Sequence, residues 1–597
     1  MLLNERDFQF LLYEFLDTQA LLERERYAEH DRAVFDATLT TARQVAAEFF
    51  APHNQKGDHN EPTFDGERVS LIPETKAAWF AFANAGFLAA HHDFADGGLQ
   101  LPEVLLRACM AYFNAANIAT TGYPFLSIGA ANLIKSFAST ELQQRFLPVM
   151  FAGRFSGTMA LTEPGQGSAL GDLRTRAVPA NDGSYRVFGQ KMFISGGDHE
   201  MTENIVHLVL ARIEGAPAGV KGISLFVVPK FNVNADGSLG PRNDVALAGL
   251  LHKMGYRNTT STVLSFGERD GAVGYLVGEA NKGLAYMFQM MNEARIGVGL
   301  GAASLAYQSY LHALDYARER PQGRLASCKD PLTRQVPIIE HADVRRMLLM
   351  QKAYAEGSMA LCLYASSLVE DAHTGGTEQS RDDAAQLLDL LTPMVKTWPS
   401  RYGLMASELG IQILGGAGYT REYPLEQLYR DNRLNPIHEG TEGIQALDLL
   451  GRKLGAKGGR GYALFLEQVG HSLHQASSLS ECGPLGQQLA EGLAVLQDVT
   501  ASLQQQVAAH ADLGLSNATA YLDLFGRVLV GWVWLRQAML AEGALQRGVV
   551  GDEVDFYRGK LHTARYYMQW ELAPLHGIAQ LLCAGNSACH DMQNRWF

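Results

Sequence analysis

Apolar residues recur every three to four positions from residue 4 to about residue 154, for example over 8–22 and 101–118, which predicts a helical N-terminal region. Polar stretches at 52–62 and at Ala95-Asp96-Gly97-Gly98 read as loops within it. The period changes near Gly157. Tyr185-Arg186-Val187-Phe188, Ile205-Val206-His207-Leu208-Val209-Leu210, Ile223-Ser224-Leu225-Phe226-Val227-Val228 and Thr262-Val263-Leu264-Ser265-Phe266 are short β-branched or aromatic runs between Gly, Asn and Asp turns. No long helix separates these runs, so they predict a small antiparallel barrel or sandwich rather than a doubly wound sheet. The helical period returns at Gly283, over 284–320 and then over 344–369 and 382–414. A glycine-rich stretch at 455–461 predicts a hinge, and 462–597 read as further amphipathic helices with a core of their own. The expected fold class is mainly α with a central β-barrel domain, divided at 1–156, 157–281, 282–455 and 456–597.

Composition narrows the function classes. A chain of 597 residues exceeds one hydrophobic core. A net charge of -13 opposes a phosphate-backbone partner, so no nucleic-acid role is expected. The six cysteines show no CxxC spacing, which points to buried thiols in a reducing compartment. The eighteen histidines include no HExxH, and no metal site is predicted. The acidic start is unlike a secretory signal and no apolar run reaches the roughly 20 residues of a membrane span, so a cytoplasmic location without an integral membrane segment is expected.

The chemistry begins with Glu439 in Asn435-Pro436-Ile437-His438-Glu439-Gly440-Thr441-Glu442, a proline- and glycine-bounded turn that opens an apolar helix. A carboxylate there can stabilise a helix start or act as a base, and its backbone N–H can serve a substrate carbonyl. Leu161-Thr162-Glu163-Pro164-Gly165-Gln166-Gly167-Ser168 joins a strand to a glycine-rich loop able to approach a diphosphate or a flavin rim. Phe193 and Ser195, two apart on a strand, would share a face and could cover a planar ring. Gly415-Gly416-Ala417-Gly418-Tyr419 follows a helix and could cap it or bind phosphate. Gly299-Leu300-Gly301 lies inside a helical run and reads as close helix packing rather than a dinucleotide fingerprint.

Taken in order, these segments over roughly residues 35–455 resemble the acyl-CoA dehydrogenase family. The long form, with the loop Val336-Pro337-Ile338-Ile339-Glu340-His341 and added C-terminal helices, is similar to the subfamily of 3-methylmercaptopropionyl-CoA and bacterial fatty acyl-CoA dehydrogenases. The resemblance implies a helical domain, a β-barrel domain and a four-helix bundle with bound FAD. It implies that Leu161, Thr162, Ser168, Phe193 and Ser195 contact the flavin or its diphosphate. Arg320 on one subunit and Gln412, Gly415 and Gly416 on its neighbour would clamp the rest of FAD across a homodimer, with Thr441 a further flavin contact. Arg295 and Gly440 are expected at the substrate, and Glu439 matches the catalytic base.

The implied reaction converts an acyl-CoA to a trans-2-enoyl-CoA and passes electrons to an electron-transfer flavoprotein. Some members carry their base immediately before the arginine matching Arg295; that place is Ala294 here, and the adjacent Glu293 reads as a helix-surface or structural acid. Ala169, His438 and Gly443 depart from the residues usual at their positions. An acyl-CoA oxidase, a methylthiopropionyl-CoA substrate and a DNA-binding adaptive-response flavoprotein are the alternatives; the acidic C-terminal region opposes the last.

Overall fold

The computed structural model describes the backbone of residues 1–597 and the side chains of all but residues 289–291. The chain divides into two compact units, residues 26–297 and residues 298–597 together with 3–25.

In the first unit the helices Arg32–Val45, Pro73–Asn84, Glu103–Phe137 and Thr140–Phe151 precede the strands. Asn117 breaks the long helix Glu103–Phe137 by leaving helical dihedrals (φ −167°, ψ 88°). Its side chain accepts from the Thr120 N–H at 3.0 Å and donates to the Phe50 carbonyl at 3.2 Å, capping the second half and tying the kink to its neighbour. Two expectations need correction here. The segment 52–62 holds a helix, Asn54–His59, in which Gly57 and Asp58 are buried despite the polar sequence, Asp58 against Arg257 at 3.7 Å. A hairpin of Thr63–Phe64 with Val69–Ser70 also interrupts the helical region.

Eight strands form the main sheet: β1 (Phe155–Ala160), β2 (Arg176–Pro179), β3 (Tyr185–Ser195), β4 (Asn204–Ile213), β5 (Ile223–Pro229), β6 (Val245–Leu250), β7 (Ser261–Phe266) and β8 (Ala272–Leu276). The order is β6-β7-β3-β8-β5-β4-β1, and β2 pairs with both β3 and β4, so β3, β8, β5, β4 and β2 close a ring. The expected barrel is therefore present, with two parallel pairings, β1 with β4 and β2 with β4, among the antiparallel ones. Val187, Val209, Phe226, Leu264 and Phe266 fill its interior. Val206, Leu208 and Leu225 point the other way, onto Ala130, Ile134 and Phe146 of the helices. Burial on both faces explains why β4 and β5 read as unbroken apolar runs.

In the second unit, helix Ala342–Thr374 packs along Glu378–Leu414, which also contacts Glu442–Gly451. A side chain at Gly299 would lie 2.2 Å from the Val395 carbonyl, so close helix packing accounts for that glycine. The appended helices Arg460–Ala476, Cys482–Ala509, Ala518–Gln546, Asp552–Tyr566 and Leu575–Cys583 do not keep a separate core. The Trp534 indole donates to the Ala353 carbonyl at 3.1 Å, and Lys560 reaches Glu356 at 2.8 Å. Helix Ala518–Gln546 is long and apolar enough to cross a membrane by composition, yet 78% of its apolar window is buried among its neighbours.

The expected hinge is tethered by charge: Lys453 bonds Asp389 at 2.7 Å, Lys457 bonds Asp382 at 2.7 Å and Arg460 bonds Asp383 at 2.9 Å. Of the thiols, Cys109, Cys362 and Cys482 are buried as expected, whereas Cys328 is half-buried and Cys583 and Cys589 are exposed on the last helical turns.

Candidate active site

In the first unit, β1 delivers the chain into the glycine-rich loop 161–168. The loop rests on a buried ion pair. Lys191 Nζ donates to a Glu163 carboxylate oxygen at 2.9 Å and to the Leu161 carbonyl at 2.9 Å. Glu163 also accepts from the backbone N–H groups of Arg174 (2.7 Å) and Thr175 (3.0 Å) and from the Thr175 hydroxyl (2.6 Å). Burial opposes ionisation of Glu163, but Lys191 and these donors outweigh it and hold the carboxyl below its usual range. Burial pushes Lys191 down to about 8, with Glu163 opposing. Both groups are charged at neutral pH.

Above this clamp, Leu161 and Thr162 are half-buried, while Gly165, Gly167 and Ser168 are exposed. Nothing lies within 4 Å of where a side chain would stand at Gly165 or Gly167, so packing against the protein does not demand those glycines. An open backbone edge beside small hydroxyls fits a diphosphate or a flavin rim.

The Met192 N–H donates to the Thr162 carbonyl at 2.9 Å, bringing the loop beside the end of β3. Phe193 has φ +60°, and the pairing with β7 shifts register between Thr262 and Leu264. Two residues thus oppose one in a β-bulge, and the simple alternation on which a shared face for Phe193 and Ser195 was expected does not run through this point. The bulge leaves the Phe193 ring 62% exposed, a large apolar surface presented beside the loop.

The first unit also contains a small, open cleft. Leu106, Met110, Phe125, Ile128, Met159 and Ala294 form its apolar wall, and Arg107, Asn132 and Glu293 its polar edge. Met159 lies on β1, two residues before Leu161. Glu293 is therefore not a helix-surface acid: it accepts from Asn132 at 3.0 Å, and burial with the nearby Glu103 raises it above the usual carboxylate range against the charge of Arg107. Arg295 is only 2% exposed.

In the second unit, Glu439 occupies the left-handed region at φ +54°, followed by Gly440 at φ +92°. Helix Glu442–Gly451 begins three residues later than Glu439, so the carboxylate stands on the preceding turn rather than in the helix. Both flanks are pinned. Downstream, buried Gln445 donates to the Glu439 carbonyl at 3.0 Å, and a side chain at Gly440 would come within 2.6 Å of that amide. Upstream, the His438 Nε2–H donates to Asn435 Oδ1 at 3.0 Å, and Asn435 donates to Asn432 Oδ1 at 2.9 Å. Burial, with the charge of Lys396 nearby, pushes His438 down to about 3, which keeps the imidazole neutral, and because the Asn435 amide oxygen can only accept, the proton of this bond sits on Nε2. A non-glycine residue at positive φ is strained, and strain of this kind persists only where the surroundings hold it.

Gln412 and Arg320 are exposed, as is Thr441 at the start of helix Glu442–Gly451. Gly415, at φ +61°, ends helix Glu378–Leu414 by donating its N–H to the Gln412 carbonyl. Nothing lies within 4 Å of a side-chain position at Gly415 or Gly416, which leaves a second open backbone edge suited to phosphate oxygens. Sequence reasoning missed Lys191 and Glu163 as a pair, the Asn432–Asn435–His438 chain and Gln445. All lie inside or beside the motifs already singled out, and charged or amide residues among apolar neighbours were the available signal.

The chain matches the models of the acyl-CoA dehydrogenase N-terminal domain (residues 35–154), middle domain (158–268) and C-terminal domain (281–454), and an acetyl-CoA dehydrogenase C-terminal-like domain (465–593). It is 37% identical to a 3-methylmercaptopropionyl-CoA dehydrogenase of Ruegeria pomeroyi, covering 94% of this chain and 95% of that one. It is 35% identical to the broad-specificity linear acyl-CoA dehydrogenase FadE5 of Mycobacterium tuberculosis, covering 94% of each. In fold it resembles an acyl-CoA dehydrogenase complexed with FAD from Bacillus anthracis, with a TM-score of 0.74 at 19% identity over 93% of this chain and 88% of that one.

Proposed function

The chain belongs to the acyl-CoA dehydrogenase family, and from that premise we propose that Glu439 is the base of an FAD-dependent α,β-dehydrogenation of acyl-CoA. The observation that carries the assignment is the strained Glu439 turn, held at φ +54° by Gln445 on one side and by the His438–Asn435–Asn432 chain on the other. A carboxylate needed only to start a helix would not require that conformation.

When bound, FAD supplies the hydride acceptor. Leu161, Thr162 and Ser168, with Phe193 and Ser195, are the residues of the first unit that would hold it. Arg320, Gln412, Gly415, Gly416 and Thr441 would hold it from the second, in a homodimer to which neighbouring subunits contribute. The Glu439 carboxylate takes the α-proton of the substrate as the β-hydrogen departs as hydride, and a trans double bond forms between the two carbons. The Glu439 N–H, with Gly440 beside it giving the backbone room, polarises the thioester carbonyl and so acidifies the α-carbon. Arg295 supports the substrate from the helix that also carries Ala294.

We assign the acyl chain to the cleft beside Met159. Electrons then pass to an electron-transfer flavoprotein, in the cytoplasm. The 37% identity to the Ruegeria pomeroyi enzyme favours methylthiopropionyl-CoA as one substrate, and the 35% identity to FadE5 favours linear fatty acyl-CoA.

Glu439→Gln tests the base. The variant is expected to bind FAD and lose about 10²- to 10⁴-fold in kcat, because a positioned base supplies a factor of that order. An FAD-loaded Glu439→Gln enzyme with full turnover removes Glu439 from the mechanism. Hydrogen peroxide formed in step with turnover in air marks an oxidase instead.

A further inference from the structure

The polar edge of the cleft bears on which acyl groups this site takes, an inference that rests on assigning the cleft to the acyl chain. Arg107 is 6% exposed, yet its one hydrogen bond among the described residues runs from Nε to Glu103 at 2.5 Å. Its Nη2 lies 3.9 Å from Glu293, too far for a hydrogen bond. The terminal N–H groups of this guanidinium thus line the polar edge of the cleft without a hydrogen bond among the described residues, and beside them Asn132 Oδ1 is also left without a partner. Donors stripped of water and left without an acceptor are costly, so what enters the cleft has to answer the terminal N–H groups of Arg107.

We propose that the cleft selects acyl groups whose tail carries a neutral hydrogen-bond acceptor, such as a hydroxyl or ether oxygen, bound by the terminal N–H groups of Arg107. A plain alkyl tail of the same length would press methylenes against those donors and leave them desolvated. A carboxylate tail is disfavoured for a different reason. Glu103 and Glu293 already stand beside the one positive charge of Arg107, so a third carboxylate would meet net repulsion.

The test uses the FAD-loaded enzyme and three matched series of four, six and eight carbons: alkanoyl-CoA, the same chains with a terminal hydroxyl, and those with a terminal carboxyl. Anaerobic flavin bleaching and kcat/KM with an artificial electron acceptor are measured for each. At the length that reaches Arg107, the hydroxylated chain is expected to exceed its alkyl counterpart by about tenfold or more in kcat/KM. The carboxylated chain is expected to fall below the hydroxylated one.

Arg107→Met should remove the hydroxyl preference. Where that single variant fails to fold because Glu103 loses its partner, Glu103→Gln with Arg107→Met takes its place. Alkyl chains that outrun hydroxylated ones at every length overturn the proposal, as does a hydroxyl preference that survives in either Arg107 variant. A flavin bleached by none of the three series sinks the dehydrogenase reading itself, which separates the two failures.

Discussion

Replacing Lys191 by methionine probes the clamp beneath the glycine-rich loop. The variant removes the charge that faces Glu163 and the bond to the Leu161 carbonyl, while keeping an unbranched side chain in the same buried place. Breaking a buried pair by removing one partner typically destabilises by about 3–5 kcal/mol. Glu163 has an escape, since it can take up a proton. Starting from an unfolded value of 4.5, protonation at pH 7 costs about 3 kcal/mol, and at pH 5.5 about 1 kcal/mol, which limits the loss at each pH. The penalty of Lys191→Met should therefore shrink by about 2 kcal/mol between pH 7 and pH 5.5.

In the unaltered protein the two groups act in opposite pH windows. Glu163 is held below 4.5, so its contribution is complete above that pH and is lost as pH falls through its lower folded value. Lys191 is held at about 8 against 10.5 unfolded, so it penalises the folded state below pH 8 and that penalty is relieved between 8 and 10.5. Flavin release by urea, followed by flavin fluorescence, should move down by roughly 1–3 M in Lys191→Met at pH 7, for a urea dependence near 1–3 kcal/mol per M. Adding Glu163→Gln should recover most of the loss, because no buried charge is then left alone. A single variant with an unchanged midpoint, or one whose penalty is the same at both pH values, refutes the ion-pair reasoning.

Two further substitutions test the second unit. His438→Gln is expected to lower kcat by weakening the hold on the base turn, while leaving the limbs of the pH profile between pH 5 and 9 in place, since a group at about 3 does not titrate there; a lost limb shows that His438 ionises during turnover. Lys560→Met leaves Asp7 and Glu356 facing each other without the lysine that reaches them at 2.5 and 2.8 Å, and should destabilise the unit by about 3–5 kcal/mol in denaturant titrations, a loss that Glu356→Gln in the same chain partly restores.

The barrel and the long helices were legible because their signals are local: β-branched runs bounded by turns, and apolar residues at helical spacing. The turn that carries Glu439 was legible because Pro436 and Gly440 bracket it. Phe193 shows where such reading stops. Period two holds only in an unbroken strand, and the bulge at Met192 and Phe193 depends on the register of β7, some seventy residues away in sequence. Lys191 and Glu163 lie 28 residues apart, and nothing local says that one buried charge answers the other. At the expected hinge the chain does leave helical dihedrals, at Ala456, Lys457 and Gly458, but nothing local says that Asp382, Asp383 and Asp389 reach this region from helix Glu378–Leu414.

The appended helices also gain a role that their sequence does not disclose. Helix Ala518–Gln546 packs directly against Glu442–Gly451, the helix that follows the Glu439 turn. Arg527 donates to the Tyr402 hydroxyl at 2.6 Å, that hydroxyl bonds Asp523 at 2.5 Å, and the neighbouring Arg401 donates to Glu442 at 3.0 Å. Glu442 stands three residues from Glu439, and Gln445 on the same helix holds the Glu439 carbonyl. The strained turn thus depends on a helix that is clamped between Glu378–Leu414 on one side and the C-terminal region on the other. A turn at positive φ relaxes unless its supports are rigid, so these helices help to fix the position of the Glu439 turn.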